Sequence, residues 1–274
     1  MNVKTDMAVG TRPACRVRHQ TGDELKTPAS DECPSPPASA SGSYHLFVPE
    51  GNDRQERHRL VVVVHGYRRD VTAAIEPFRH YAHEQRAVVL APFFPESEHY
   101  QDLGLNGGQH RADLLLLDQV AEIRWRYGLK SGAFDLFGFS AGAQFVHRFL
   151  YLHPGWLRSV VVASPGTVTL PTLDESWPHG LAGLAQLSGI SFDLEAVRRV
   201  RALLVVGDDD VRTGNLNHSD EANRFGQTRL ERVRTLHRSW CRVGIPHEYV
   251  EVPGLGHKLD KRIGALARRF LVDG

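Results

Sequence analysis

The stretch Phe134-Asp135-Leu136-Phe137-Gly138-Phe139-Ser140-Ala141-Gly142 decides how this chain is read. Phe134 to Phe137 is a short apolar run of strand length, and Ala141 to Leu152 continues with helical periodicity. Between them Gly138, Ser140 and Gly142 spell G-x-S-x-G. In that context the pattern is a nucleophile elbow, a sharp strand-to-helix turn that lifts a serine hydroxyl above the sheet. Glycine flanks the turn because a side chain there would clash with the tight backbone. The competing reading is a serine that caps the helix N-terminus. It is set aside because candidate partners for an activated serine follow later in the chain.

Outward from the elbow, strand-like and helix-like segments alternate. Tyr44 to Val48 reads as a strand stopped by Pro49, and Leu60 to Val64 as a strand buried on both faces. Val71 to Gln85 is expected to be helical, with Ile75, Phe78 and Ala82 on one face. Ala87 to Leu90 is the next strand. A long helix follows, with Leu116, Val120, Ile123 and Tyr127 aligned and Gly128 as its stop. Ser159 to Ala163, Ala202 to Val206 and Glu248 to Val252 complete the strands. A long helix lies within 218–243, and a terminal helix begins after His257. This alternation predicts an α/β fold, with a mostly parallel sheet and helices on both faces. Gly166 to Asp193, rich in Pro, Gly and Trp, interrupts it and is expected to form a short cap over the carboxyl ends of the strands, where such folds bind ligands. Its Leu170, Leu173, Trp177, Leu181, Leu184 and Leu187 suggest an apolar lid that favours uncharged acyl groups over polyanions, since burying an unpaired carboxylate is costly.

An activated serine needs a base, and the base an orienting carboxylate. Asp208-Asp209-Asp210 follows the strand 202–206, and His257 sits in the Gly-rich loop Pro253-Gly254-Leu255-Gly256-His257 after the last strand. Asp210 is the preferred acid, Asp208 the next candidate and Asp209 the last. A calcium loop is rejected because Arg212 falls where an oxygen ligand is needed. Acyl transfer also needs donors for a tetrahedral oxyanion. The Ala141 N–H, at the start of a helix, is one candidate. The other is the Tyr67 N–H, in the loop His65-Gly66-Tyr67 that leaves the strand 60–64. His65 is expected to hold that loop by a hydrogen bond.

With these residues in order, positions 43–274 resemble the α/β-hydrolase superfamily. The resemblance rests on His65-Gly66, Gly138 to Gly142, Gly207 to Asp210 and Gly256-His257. It implies Ser140 as nucleophile, His257 as base, Asp210 as acid, and Tyr67 and Ala141 as oxyanion donors. More narrowly, the chain is similar to bacterial hydrolases related to polyhydroxyalkanoate depolymerases and poly(aspartic acid) hydrolases. That likeness rests on the stretch 164–171 and on Gly207 to Asp210 with the following Asn215 and Asn217. Thr167 and Val168 stand where that resemblance implies aromatic residues.

Composition narrows the remaining classes. The chain has 274 residues, 41% hydrophobic and 24% charged, the balance of an ordinary globular protein. A net charge of +1 gives no bulk attraction for nucleic acid, and the arginine-rich stretches near 198–201 and 224–242 read as solvated helix faces. Three cysteines, Cys15, Cys33 and Cys241, without C-x-x-C spacing argue against a disulfide framework and against a zinc site. Residues 1–42, dominated in their second half by Pro, Ser and Ala, are expected to be a disordered or weakly ordered leader. No apolar signal region or membrane span is read, so a cytoplasmic location is expected. No cofactor is called for, and a nucleotide-binding reading fails for want of G-x-G-x-x-G or a P-loop. The expected partner is a small-molecule or oligomeric ester. The alternative is a catalytically silent module of the same fold that binds a small molecule.

Overall fold

The computed structural model describes residues 16–20, 42–49, 59–95, 99–129, 132–214 and 216–273. In chain order these form β1 (Arg16–Gln20), β2 (Tyr44–Val48), β3 (Arg59–Val64), α1 (Val71–Ile75), α2 (Arg79–Glu84), β4 (Ala87–Pro92), α3 (Ala112–Tyr127), β5 (Phe134–Phe139) and α4 (Ala141–Leu152). Then come β6 (Leu157–Ala163), α5 (Leu184–Ser188), α6 (Leu194–Arg198), β7 (Arg201–Gly207), α7 (Asp220–Asn223), α8 (Arg229–Val243), β8 (Glu248–Val252) and α9 (Lys261–Val272). The strands make one sheet in the order β1-β2-β4-β3-β5-β6-β7-β8. β1 and β2 run antiparallel to their neighbours, and β3 to β8 are parallel.

The valine run of β3 shows why this chain makes such a sheet. Leu60, Val62 and Val64 enter one buried cluster with Leu116 of α3, Phe145 and Phe149 of α4, and Leu236 and Trp240 of α8. Val61 and Val63 point the other way, into a second cluster with Ile75, Tyr81, Ile263 and Phe270. A strand between two helical layers has no face to spare for polar side chains, so alternation gives way to continuous β-branched residues.

Two details depart from the sequence reading. The helix expected over 71–85 is broken: α1 ends at Ile75, a 3₁₀ turn spans Glu76–Phe78, and α2 begins at Arg79. Pro77 lies inside it, and proline lacks the N–H an uninterrupted helix needs. Arg16–Gln20, within the stretch read as a leader, pairs with β2 as an edge strand from Arg16↔Val48 to Gln20↔Tyr44. The rest of 1–41, with Cys15 and Cys33, lies outside the described residues, as does Asn215.

Candidate active site

β5 runs straight into α4 through Ser140, whose backbone sits at φ 58° and ψ −116°. This positive φ is costly for a residue with a Cβ. The turn is forced by close approach on both sides. A Cβ on Gly138 would lie 2.3 Å from the Gly142 carbonyl oxygen, and one on Gly142 would lie 2.3 Å from that of Val64. Both glycines are therefore needed for α4 to start directly against β3 and β5. The Ser140 N–H is held by the Ala163 carbonyl at 2.9 Å.

Ser140, His257 and Asp210 form one hydrogen-bonded line. The Ser140 hydroxyl donates to His257 Nε2 at 3.0 Å, and His257 Nδ1–H donates to Asp210 Oδ2 at 2.8 Å. This assignment leaves Nε2 free to accept a proton. Asp210 is fully buried while His257 is partly exposed. The Phe139 ring stacks on the imidazole, with centroids 4.9 Å apart. The loops that carry acid and base are sewn together: Asp208 Oδ1 accepts the Gly254 N–H at 2.7 Å, and the Asp209 N–H donates to the Leu255 carbonyl at 3.1 Å. Asp208 is thus tied to the backbone of the histidine loop, and Asp210 is the member of the run in contact with His257.

The β3–α1 loop borders the serine. A Cβ built on Gly66 would lie 4.0 Å from the Ser140 Cβ, so Tyr67 follows a residue in contact with the elbow. His65 is buried and anchors this loop. Its Nδ1–H donates to the Gly66 carbonyl at 2.9 Å, its Nε2 accepts the Phe94 N–H at 3.1 Å, and Tyr100 donates to its carbonyl at 3.0 Å. Burial depresses its proton affinity, so the ring stays neutral. Ala141 is the first residue of α4, and the first N–H groups of a helix have no partner within it.

The insertion between β6 and β7 corrects one expectation. Trp177, Leu181 and Leu184 are buried within the main core, and Leu173 and Leu187 are exposed. The three buried side chains hold the insertion down against the core rather than forming an apolar lid. Arg148 of α4 pins it further: its buried guanidinium donates to Thr169 Oγ1 (2.8 Å), Thr167 Oγ1 (2.9 Å) and the Gln101 carbonyl (2.7 Å). Thr167, where the resemblance implied an aromatic residue, is a partner of that arginine. The sequence reading missed Arg148; an arginine within the mostly apolar helix α4, four residues after Gln144, was the available signal.

No protein-family model matches the chain, and no curated protein matches it in sequence. Solved structures do. Poly(aspartic acid) hydrolase-1 from Sphingomonas sp. KT-1 superposes with a TM-score of 0.72 at 21% identity, over 94% of this chain and 98% of that one. The fold is that of the α/β-hydrolases. A poly(3-hydroxybutyrate) depolymerase from Bordetella parapertussis matches this chain with a TM-score of 0.70 and 26% identity, over 85% of each chain. A fluorophosphonate-binding serine hydrolase of Staphylococcus aureus matches at 0.60 and 14% identity, over 94% of this chain and 97% of that one. Among the described residues, no helix is long and apolar enough to cross a membrane.

Proposed function

We propose that the chain is a serine hydrolase that cleaves a carboxylic ester through an acyl-enzyme on Ser140. The observation that carries this reading is the unbroken line from the Ser140 hydroxyl through His257 to buried Asp210. In the acylation step Ser140 Oγ attacks the ester carbonyl and its proton passes to His257 Nε2. Asp210 holds the imidazole in the required tautomer and stabilises the imidazolium. The N–H groups of Ala141 and Tyr67 receive the oxyanion. Collapse expels the alcohol, which takes the proton from Nε2. Water then repeats the sequence on the acyl-enzyme and releases the acid.

Support comes from the neighbours, whose names give them activity on poly(aspartic acid) and poly(3-hydroxybutyrate) and reactivity toward fluorophosphonates. The test is covalent labelling by a fluorophosphonate, with the adduct mapped to Ser140. It is followed by turnover of p-nitrophenyl esters of increasing acyl length beside a 3-hydroxybutyrate oligomer and a polyaspartate. Labelling with turnover supports the reading. A folded chain that is neither labelled nor active is instead a silent binding module.

A further inference from the structure

α8 carries His237 and Cys241 one turn apart, and residues four apart share a helix face. The helix stops at Gly244, which adopts a left-handed φ of 71°. The chain then doubles back through Ile245 and Pro246 and lays His247 against that face, immediately before β8. His237 Nδ1 and His247 Nε2 are 2.8 Å apart, and Cys241 Sγ is 3.8 Å from His237 Nδ1. One candidate ligand atom from each of the three residues falls within 4.8 Å of the others.

We propose that His237, Cys241 and His247 form a binding site for Zn²⁺ that clasps the end of α8 to the start of β8. Two imidazoles and a thiolate are the ligand types that suit Zn²⁺. Ligand atoms at zinc bond lengths in a tetrahedron stand roughly 3.3 to 3.6 Å apart. The 2.8 Å His237–His247 and 3.8 Å His237–Cys241 separations bracket that range, so the ion enters by a small parting of the rings and a turn of the cysteine side chain.

The rings are already oriented. His247 Nδ1–H donates to the Ile245 carbonyl at 2.8 Å, leaving Nε2 with its lone pair toward His237. A carbonyl fixing the tautomer in this way is the outer contact that metal-bound histidines carry. The His237 ring stacks on Tyr249 at 4.3 Å, and the His247 ring meets the Trp240 edge at 5.2 Å. Cys241 is exposed, and a solvent molecule takes the fourth position. The cluster lies at the start of β8, whereas His257 follows its far end, so the site is separate from Ser140. Cysteine pairing gave no hint of it, because it uses a single cysteine and needs the turn at Gly244.

Tag-free full-length protein titrated with Co²⁺, the spectroscopic stand-in for Zn²⁺, tests this. One equivalent is expected to give a thiolate-to-cobalt charge-transfer band in the near ultraviolet and visible bands of tetrahedral intensity, all bleached by Zn²⁺. Cys241→Ser should remove the charge-transfer band. His247→Gln should weaken affinity more than about tenfold, since even outer contacts to a metal ligand are worth 10- to 100-fold. The double variant Cys15→Ser/Cys33→Ser should behave as the parent. In a second measurement, Zn²⁺ should protect Cys241, but not Cys15 or Cys33, from alkylation by iodoacetamide. A missing band at one equivalent, a band that survives Cys241→Ser, or equal alkylation of Cys241 with and without Zn²⁺ overturns the proposal.

Discussion

Arg229 Nη1 stands 3.7 Å from Asp210 Oδ1, the carboxylate oxygen that does not contact His257, and both side chains are almost wholly buried. A charged carboxylate out of water needs a compensating charge. Arg229 supplies it from the first turn of α8, while the Leu230 N–H donates to the Asp210 carbonyl at 3.3 Å. The candidate acid is therefore held by α8 as well as by β7, which delivers it.

Arg229→Met should lower both stability and turnover. Removing one partner of a buried ion pair costs about 3–5 kcal/mol. The surviving acid, left without the partner that holds it in place, should orient the imidazole less precisely, with kcat/KM down by on the order of tenfold. Urea unfolding and ester kinetics measure the two effects, and Arg229→Lys should recover part of each. Unchanged kinetics would show that the arginine serves packing alone.

Asp210→Asn should reduce kcat by about 10⁴-fold, the loss seen when an orienting carboxylate becomes an amide. Asp208→Asn should cost less than about tenfold, because its task is to hold the Gly254 N–H of the histidine loop. Asp209→Asn, at an exposed position, should be close to the parent. Steady-state kinetics on one p-nitrophenyl ester rank the three, and a larger loss for Asp208→Asn would reassign the acid.

Ser140→Ala should abolish hydrolysis without unfolding the chain, and Ser140→Gly should be equally inactive yet more stable. Glycine tolerates a positive φ that strains serine. Release of about 1 kcal/mol of strain should raise Tm by about 2–4 °C in a chain of this size. Calorimetry of the two variants side by side measures the difference, and a glycine variant no more stable than the alanine one would place no strain at the elbow.

The sequence marked Ser140, Asp210 and His257 because each directly follows a run of strand-forming residues, and the end of a parallel strand is where such a sheet gathers its loops. It left Asp208 open because adjacent aspartates differ only in where a turn points them. It passed over Arg229 because one more arginine in a stretch rich in them looks like a solvated face; Arg229 and Arg232 are buried, and Arg229 is the one that stands beside Asp210. It took the leucines of 166–193 for a lid because composition says that apolar residues will be buried, not against what. It did not find β1, since Arg-Val-Arg-His-Gln has little of the composition of a strand. Its pairing depends on β2, which lies well along the chain.

The last prediction concerns acid. His147 of α4 is fully buried, with its Nδ1–H donating to the Ala143 carbonyl at 2.8 Å and its Nε2 accepting the Thr169 N–H at 3.0 Å. Both ring nitrogens are engaged by the neutral form, and burial, with Arg148 beside it, lowers its pKa to about 3. The unfolded chain would take up a proton near pH 6.5. The folded value lies below the unfolded one, so the stabilisation is fully present above about pH 6.5 and is lost as pH falls toward 3. Within that window the unfolded state binds the extra proton, and this one group contributes a slope of about 1.4 kcal/mol per pH unit. Since His147 holds the insertion through Thr169, acid should loosen that region as well as the global fold. His147→Gln offers an amide donor for Ala143 and an oxygen for Thr169 without a titrating ring. Its urea midpoint, measured from pH 7 to pH 4, should fall less steeply than the parent's even if it starts lower. Parallel curves for the two proteins would mean that the acid sensitivity lies elsewhere.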